Sequence, residues 1–209
     1  MIMSVITHET LQDRRPAWEV ATLFPDQGHW GEGDYLALSH STNRLVELSA
    51  GRIEILPMPT MTHQLIVQYL SNLLLAFAST RKLGRVLFAP LRVRLPNGNY
   101  REPDVVFMLS EHANRMGDNF WDGADLVMEV VSEDNREHDL VTKRAEYAAA
   151  GIPEYWIVDP AERKITILKL QGDHYTTHAD GGPGQKTESA LLSGFSVEVS
   201  AVWAAAAAD

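Results

Sequence analysis

Two carboxylates and an amine carry the most specific chemistry in this chain. Asp104 follows Pro103 and opens onto the apolar run Val105, Val106 and Phe107. Glu129 lies inside a second run, Leu126, Val127, Met128, Val130 and Val131. The two are 25 residues apart, a separation that adjacent strands can close, and Lys143 follows 14 residues later. Phosphodiester hydrolysis needs an activated water and a cation at the scissile phosphate. Magnesium prefers hard oxygen ligands and keeps several waters, so one or two carboxylates suffice. A nearby lysine can orient the water or offset charge on the phosphate. On a helix, Asp139, Lys143 and Tyr147 fall at i, i+4 and i+8 and form one stripe. The pattern is that of a metal-dependent phosphodiesterase site, with Asp104 and Glu129 as metal ligands for Mg²⁺ or Mn²⁺.

Each residue also has a plainer reading. Asp104 after a proline fits a strand edge or turn. Glu129 among apolar neighbours needs a partner, a proton or a metal, because a lone buried carboxylate is costly. A salt bridge to Arg101, Lys143 or Arg144 would supply one. Lys143 could simply pair with Asp139 on a solvated helix face. His63 opens an apolar helix and reads first as a capping or packing residue. Tyr147 and Trp156 read as core aromatics. Ser132 reads as a cap, since no His-Asp pair is placed to activate it. His138 is expected to face solvent or the mouth of the site.

The elements that must position these residues follow from periodicity. Residues 10–24 carry Leu11, Trp18, Val20 and Leu23 and suggest an amphipathic helix or arm, with a helical turn near 34–38. Two short runs around Ser49, Ala50 and Gly51 predict a β-hairpin bearing Glu47 and Glu54. Thr62 is a candidate cap for a helix on which Leu65, Ile66, Tyr69, Leu70, Leu73, Leu74 and Phe77 recur at helical spacing. Strands are expected at 86–88, 91–95, 105–109, 126–131, 155–158, 164–170, 174–178 and 195–199. Residues 110–124 read as a polar loop with Phe120 and Trp121 packing back, and 139–150 as a helix stopped by Gly151. The Ala-rich end is expected to fray. This order predicts an α/β or α+β domain with a mixed sheet. We divide it as an N-terminal helical arm (1–44), one main domain (45–200) and a C-terminal tail (201–209).

Composition narrows the classes. The 209 residues suit one domain with a real core, and 45% are hydrophobic. There is no cysteine, which excludes disulfides, thiolate zinc sites and cysteine nucleophiles. No run of 18 apolar residues appears, so no membrane span is expected. The N-terminal residues lack the basic-then-apolar pattern of a signal peptide, which makes the cytoplasm the default. A net charge of −10 argues against broad, charge-driven nucleic-acid binding. A local basic rim would be required, with Arg92, Arg94, Arg101 and Arg144 as its candidates.

Several spaced motifs occur together between Glu47 and Pro160. They are Glu47-Leu48 with Gly51, then Pro57, Pro59 and His63. Pro103-Asp104-Val105-Val106 and Glu129-Val130-Val131-Ser132 follow, with Asp139, Lys143 and Tyr147. The set ends in Gly151-Ile152-Pro153-Glu154-Tyr155-Trp156-Ile157-Val158-Asp159-Pro160. In this order they resemble the bacterial restriction endonuclease-like proteins of the PD-(D/E)xK nuclease superfamily. That resemblance implies a restriction-endonuclease-like mixed β-sheet flanked by helices, with additional β-hairpins, and a metal-dependent endonuclease. The implied catalytic residues are Asp104, Glu129 and Lys143, with Glu47, Glu54 and His63 as further candidates. One position departs from the superfamily pattern: Val131 stands where a lysine is expected, and the resemblance suggests that Lys143 supplies the amine. The implied substrate is nucleic acid, with DNA favoured, and paired nicks on opposite strands would be made most simply by a two-fold homodimer. The rivals are a non-catalytic nucleic-acid or protein interaction module on a nuclease-like fold, and a hydrolase of small phosphodiesters.

Overall fold

The computed structural model describes residues 23–133 and 136–207. Most of the amphipathic segment expected over 10–24 lies outside them. The first element, α1 (Glu32–Ser41), is longer than the expected helical turn. Its Tyr35 is fully buried, and the Tyr35 hydroxyl donates to the Val46 carbonyl at 2.9 Å. The expected hairpin follows as β1 (Val46–Ser49) and β2 (Arg52–Ile55). Ala50 and Gly51 both take positive φ, at 47° and 71°, as a tight hairpin turn requires. Gly51 has a second reason to be glycine: an added Cβ would stand 2.6 Å from the Gly28 carbonyl oxygen.

Helix α2 (Met61–Arg81) begins at Thr60, not Thr62; the Thr60 hydroxyl accepts from the His63 N–H at 3.2 Å. Its apolar stripe, Ile66, Val67, Leu70, Leu74 and Ala78, is buried. Next come β3 (Gly84–Phe88), β4 (Val93–Arg94), β5 (Tyr100–Arg101) and β6 (Val105–Leu109). The expected loop 110–124 contains a 3₁₀ segment (Ser110–Arg115) and the short β7 (Trp121–Asp122), with Trp121 buried. Then come β8 (Leu126–Val130), a π-helical turn (His138–Lys143) running into α3 (Arg144–Ala149), β9 (Glu154–Asp159), β10 (Lys164–Gln171) and β11 (His174–Gly181). The chain closes with β12 (Lys186–Glu188), which the sequence pattern did not suggest, β13 (Ser196–Glu198) and α4 (Val199–Ala205).

The strands divide between two main sheets, ordered β2-β1-β5-β4-β7 and β11-β10-β9-β8-β6-β3. The larger sheet is mixed: β8 and β9 run parallel and its other pairs are antiparallel. Side chains alternate between its faces. Val105, Phe107 and Met128 pack with α2, whereas Val106, Val127 and Val131 pack with Tyr147, Ala148 and Ile152. Glu129 and Asp104 share the parity of the second set.

The C-terminal end does not fray as expected. Val199, Val202 and Trp203 of α4 are buried in the cluster that holds the α2 stripe, and Trp203 Nε1 donates to the Arg163 carbonyl. Alanine is the strongest helix former, and two large apolar residues give the short helix a face to bury.

Glu154 anchors this C-terminal region. It is fully buried, and it accepts from Trp156 Nε1 at 2.7 Å, Ser189 Oγ at 2.7 Å, and the Ala190 and Leu191 N–H groups at 2.5 and 2.8 Å. Glu154→Ala would strand these donors. We expect it to destabilise the protein by about 3 kcal/mol, the upper range for an unsatisfied buried partner. A urea midpoint that falls with an unchanged slope is the measurement.

Candidate active site

The antiparallel register of β6 and β8 pairs Val105 with Met128. One step further along both strands, Asp104 faces Glu129. They lie on the same side of the sheet, under the π-helical turn and α3. Asp104 is half-buried, and its Oδ2 accepts from the Val130 N–H at 2.7 Å and faces His63 Nε2 at 3.2 Å. Glu129 is buried: its Oε1 accepts from the Tyr147 hydroxyl at 2.6 Å, and its Oε2 lies 3.0 Å from Lys143 Nζ. Lys143 is buried too, and reaches Asp139 Oδ1 at 3.3 Å and Glu47 Oε1 at 3.8 Å. Asp139, Lys143 and Tyr147 therefore point inward along the predicted stripe, although the first two sit on a π-helical rather than an α-helical turn. Such turns recur at functional sites. The Tyr155 hydroxyl donates to the Asp139 carbonyl at 2.9 Å and ties this turn to β9.

Glu47 reaches the site from the other sheet. It is fully buried; its Oε1 accepts from the Glu102 N–H at 2.8 Å, and its Oε2 accepts from Arg101 Nη1 at 2.7 Å. Glu54 also receives Arg101 Nη1, at 2.6 Å, so the hairpin turns both acidic candidates toward one guanidinium. Arg101 Nε donates to Glu146 Oε2 at 2.6 Å. Glu47, Glu54 and His138 offer donor atoms within 4.8 Å of one another, a spacing a metal could use. Arg101 Nη1 already stands among them, 3.3 Å from His138 Nε2. The cation of that cluster is a guanidinium.

Charge is unbalanced across the whole site. Glu47, Glu54, Asp104, Glu129, Asp139 and Glu146 gather around two permanent cations, Arg101 and Lys143, with His63 and His138 beside them. Burial pushes the Glu129 carboxyl up to about 8; Lys143 pulls it down, but the charges of Asp104, Asp139 and Glu47 add to the rise. Burial likewise raises Asp139. Burial works against the charge on Lys143, yet Glu129, Glu47, Asp139 and Asp104 outweigh it and hold the proton on firmly. Burial opposes ionisation of Glu47 as well, but Lys143, His138 and Arg101 keep it charged. Glu102, buried beside Glu47, is pushed up to about 7 by desolvation and that neighbouring charge.

The structure brings Asp104, Glu129, Lys143, Glu47, Glu54 and His63 together. Among the described residues, three of the four arginines expected to form a basic rim face carboxylates of the protein itself. Arg101 is fully buried and held by three carboxylates, so it offers nothing to a surface ligand. Arg94 is paired with Glu32 and Asp122. Arg92 lies mostly buried with its Nε 3.8 Å from Glu102. Arg144 is exposed and donates to the Tyr175 carbonyl at 3.3 Å. His138 is half-buried against Glu47 and Glu54 and is not solvent-facing. Sequence reasoning missed Glu146 and the role of Arg101 as its partner. The one available signal was the position of Glu146 beside the Asp139-Lys143-Tyr147 stripe.

A family model described as "Uma2: Putative restriction endonuclease" matches residues 33–200. No curated protein matches the chain. Among solved structures, the crystal structure of a putative nuclease belonging to DUF820 from Anabaena variabilis superposes with a TM-score of 0.70. That match has 16% sequence identity and covers 85% of this chain and 99% of the other. At that identity the likeness concerns the fold, a mixed sheet flanked by helices. Among the described residues no helix is long and apolar enough to cross a membrane. Because the family model spans most of its length, the chain belongs to the Uma2 family.

Proposed function

We propose that this protein is a metal-dependent nuclease that hydrolyses nucleic-acid phosphodiester bonds, with DNA as the favoured substrate. The single observation that carries this reading is the meeting of Lys143 Nζ with Glu129 at 3.0 Å on the strand pair that sets Asp104 opposite Glu129. The donor set suits a hard divalent cation, Mg²⁺ or Mn²⁺, because it offers carboxylate oxygens and an excess of negative charge. Asp104 and Glu129 would hold it. Held there, a divalent cation would supply Lewis-acid polarisation of the phosphoryl group and would acidify the attacking water. Lys143 stays protonated, so its role is to donate: it orients the attacking water and offsets charge that builds on the phosphate. Glu47 fixes Lys143 from the opposite sheet, and Tyr147 fixes Glu129. Water adds at phosphorus as the bond to the leaving sugar oxygen breaks; the water gives its proton to solvent, and the leaving oxygen takes one from solvent. We place the protein in the cytoplasm and expect a two-fold dimer, which would present two such sites to opposite strands.

One observation favours a second reading. Arg92, Arg94 and Arg101 face carboxylates within the protein, and the net charge is −10. A small phosphodiester, or a non-catalytic binding role, would need no long basic track. Mn²⁺-dependent nicking of a plasmid decides between them. We expect nicking by the wild type and a loss of about 10²–10³-fold in Lys143→Met, the scale of removing one transition-state donor. Cleavage of a small diester with the plasmid left intact would identify the smaller substrate. No cleavage of either would identify the binding module.

Metal should also stabilise the fold. A ligand that binds only the folded state adds about 2.7 kcal/mol at a hundred times its dissociation constant. Mn²⁺ should therefore raise the melting temperature of the wild type, and Glu129→Gln should lose most of that rise. Equal shifts in both proteins would remove Glu129 from the ligand set.

The pH dependence follows from the raised Glu129. Between its unfolded value near 4.5 and its folded value of about 8, the folded state holds a proton that the unfolded state has released. Stability of the metal-free protein therefore falls as pH rises through this window, by up to about 1.4 kcal/mol per unit from this group. Glu102 adds a slope of the same sign up to about pH 7. Glu129→Gln should flatten the profile and be the more stable protein at pH 8 without metal. The Mn²⁺ shift should grow from pH 6 to 8, because the ligand must deprotonate. Chemical denaturation across this range checks both signs.

A further inference from the structure

We propose that His63 is a positioning residue of the cation site: it fixes the carboxylate of Asp104 and thereby selects which oxygen a divalent ion meets. The inference rests on the metal-ligand reading of Asp104 given above. Asp104 Oδ2 is occupied twice, by the Val130 N–H at 2.7 Å and by His63 Nε2 at 3.2 Å. Among the described residues no donor meets Oδ1. The first donor belongs to the β8 backbone and orients the carboxylate relative to Glu129. The second comes from the first turn of α2. Two donors from different elements fix the plane of a carboxylate that one donor would leave free to turn.

Among the described residues the His63 ring has no polar contact besides this one. The helix start is capped through its backbone, since the His63 N–H donates to Thr60 Oγ1. Its ring contributes nothing to that cap. The ring's other nitrogen, Nδ1, is buried without a partner. Burying a polar atom unpaired is unfavourable, so the residue gives up stability and makes one directed contact, to Asp104. Partners that orient a metal-binding group are commonly worth 10–100-fold in metal affinity.

The test is a Mn²⁺ titration of the full chain, read by the ion's electron paramagnetic resonance signal, on wild type, His63→Leu, His63→Asn, His63→Gln and Asp104→Ala. Metal-free melting temperatures are taken alongside. A glutamine amide nitrogen can stand where Nε2 stands, whereas an asparagine amide reaches only to the position of Nδ1. We expect His63→Leu and His63→Asn to weaken Mn²⁺ binding about 10–100-fold, His63→Gln to recover most of it, and Asp104→Ala to bind least. Metal-free melting should not track that order. Wild-type affinity in His63→Leu, with binding lost in Asp104→Ala, would overturn the role of His63 and leave the cation site standing. Affinities that follow metal-free melting across the histidine variants would reduce His63 to packing and overturn the proposal too. Absence of Mn²⁺ binding by the wild type would overturn both readings together.

Discussion

The structure depends on how it accommodates buried negative charge between its two main sheets. Taking carboxylates out of water is expensive, and each must find a cation, a proton or a set of donors. Two side chains do most of this work. Arg101, on β5 of the smaller sheet, gathers Glu47, Glu54 and Glu146. Lys143, on the helix packed against the larger sheet, gathers Glu129, Asp139 and Glu47. Glu47 is common to both, so one buried carboxylate joins the two cations and with them the two sheets. Removal of either cation would leave Glu47 with one of its two partners and the other carboxylates of that cluster in need of a proton. These pairs therefore fix relative position more than they add net stability.

Fixing position matters because the site has no single scaffold. Asp104 and Glu129 belong to neighbouring strands of one sheet, Glu47 to the other sheet, and Lys143 to a π-helical turn. Packing alone would tolerate small slips among these elements. A short ion pair does not, and the Tyr147 and Tyr155 hydroxyls pin the turn and α3 further to Glu129 and to the Asp139 carbonyl. The segment that bears Lys143 is thus held to the sheet by polar contacts at its start and by Tyr147, Ala148 and Ile152 in the core at its end.

Much of this was legible in the sequence because it is periodic or local. The α2 stripe, the β1-β2 hairpin and the runs around Val105 and Val127 follow from spacing alone. The Asp139-Lys143-Tyr147 stripe survives the change from α to π geometry. What stayed hidden depends on long-range partners. Arg101 reads as a surface base until three carboxylates from β1, β2 and α3 are seen around it. Glu154 looks like one more residue before a strand, and only the fold brings the backbone N–H groups of Ala190 and Leu191 to it. The alanine-rich end reads as a tail because its two anchors, Val202 and Trp203, have no partner until α2 is in place. Alternation could predict the strands but not that they would separate into two sheets.

The departure at Val131 shows the same constraint from the opposite direction. Val131 shares the parity of Glu129, so a lysine there would begin on the correct face. In this protein that face is already filled at Val131 by Tyr147, Ile152 and their neighbours. A lysine at that position would have to place its stem and charge in an apolar cluster. The helix offers another route. From Lys143 the stem runs through the buried flank of the turn, and the ammonium arrives beside Glu129, Asp139 and Glu47, whose charge offsets the cost of burying it. The same carboxylates hold its proton in place. The position of the amine in space, rather than its place in the sequence, is what the charge balance of the site requires.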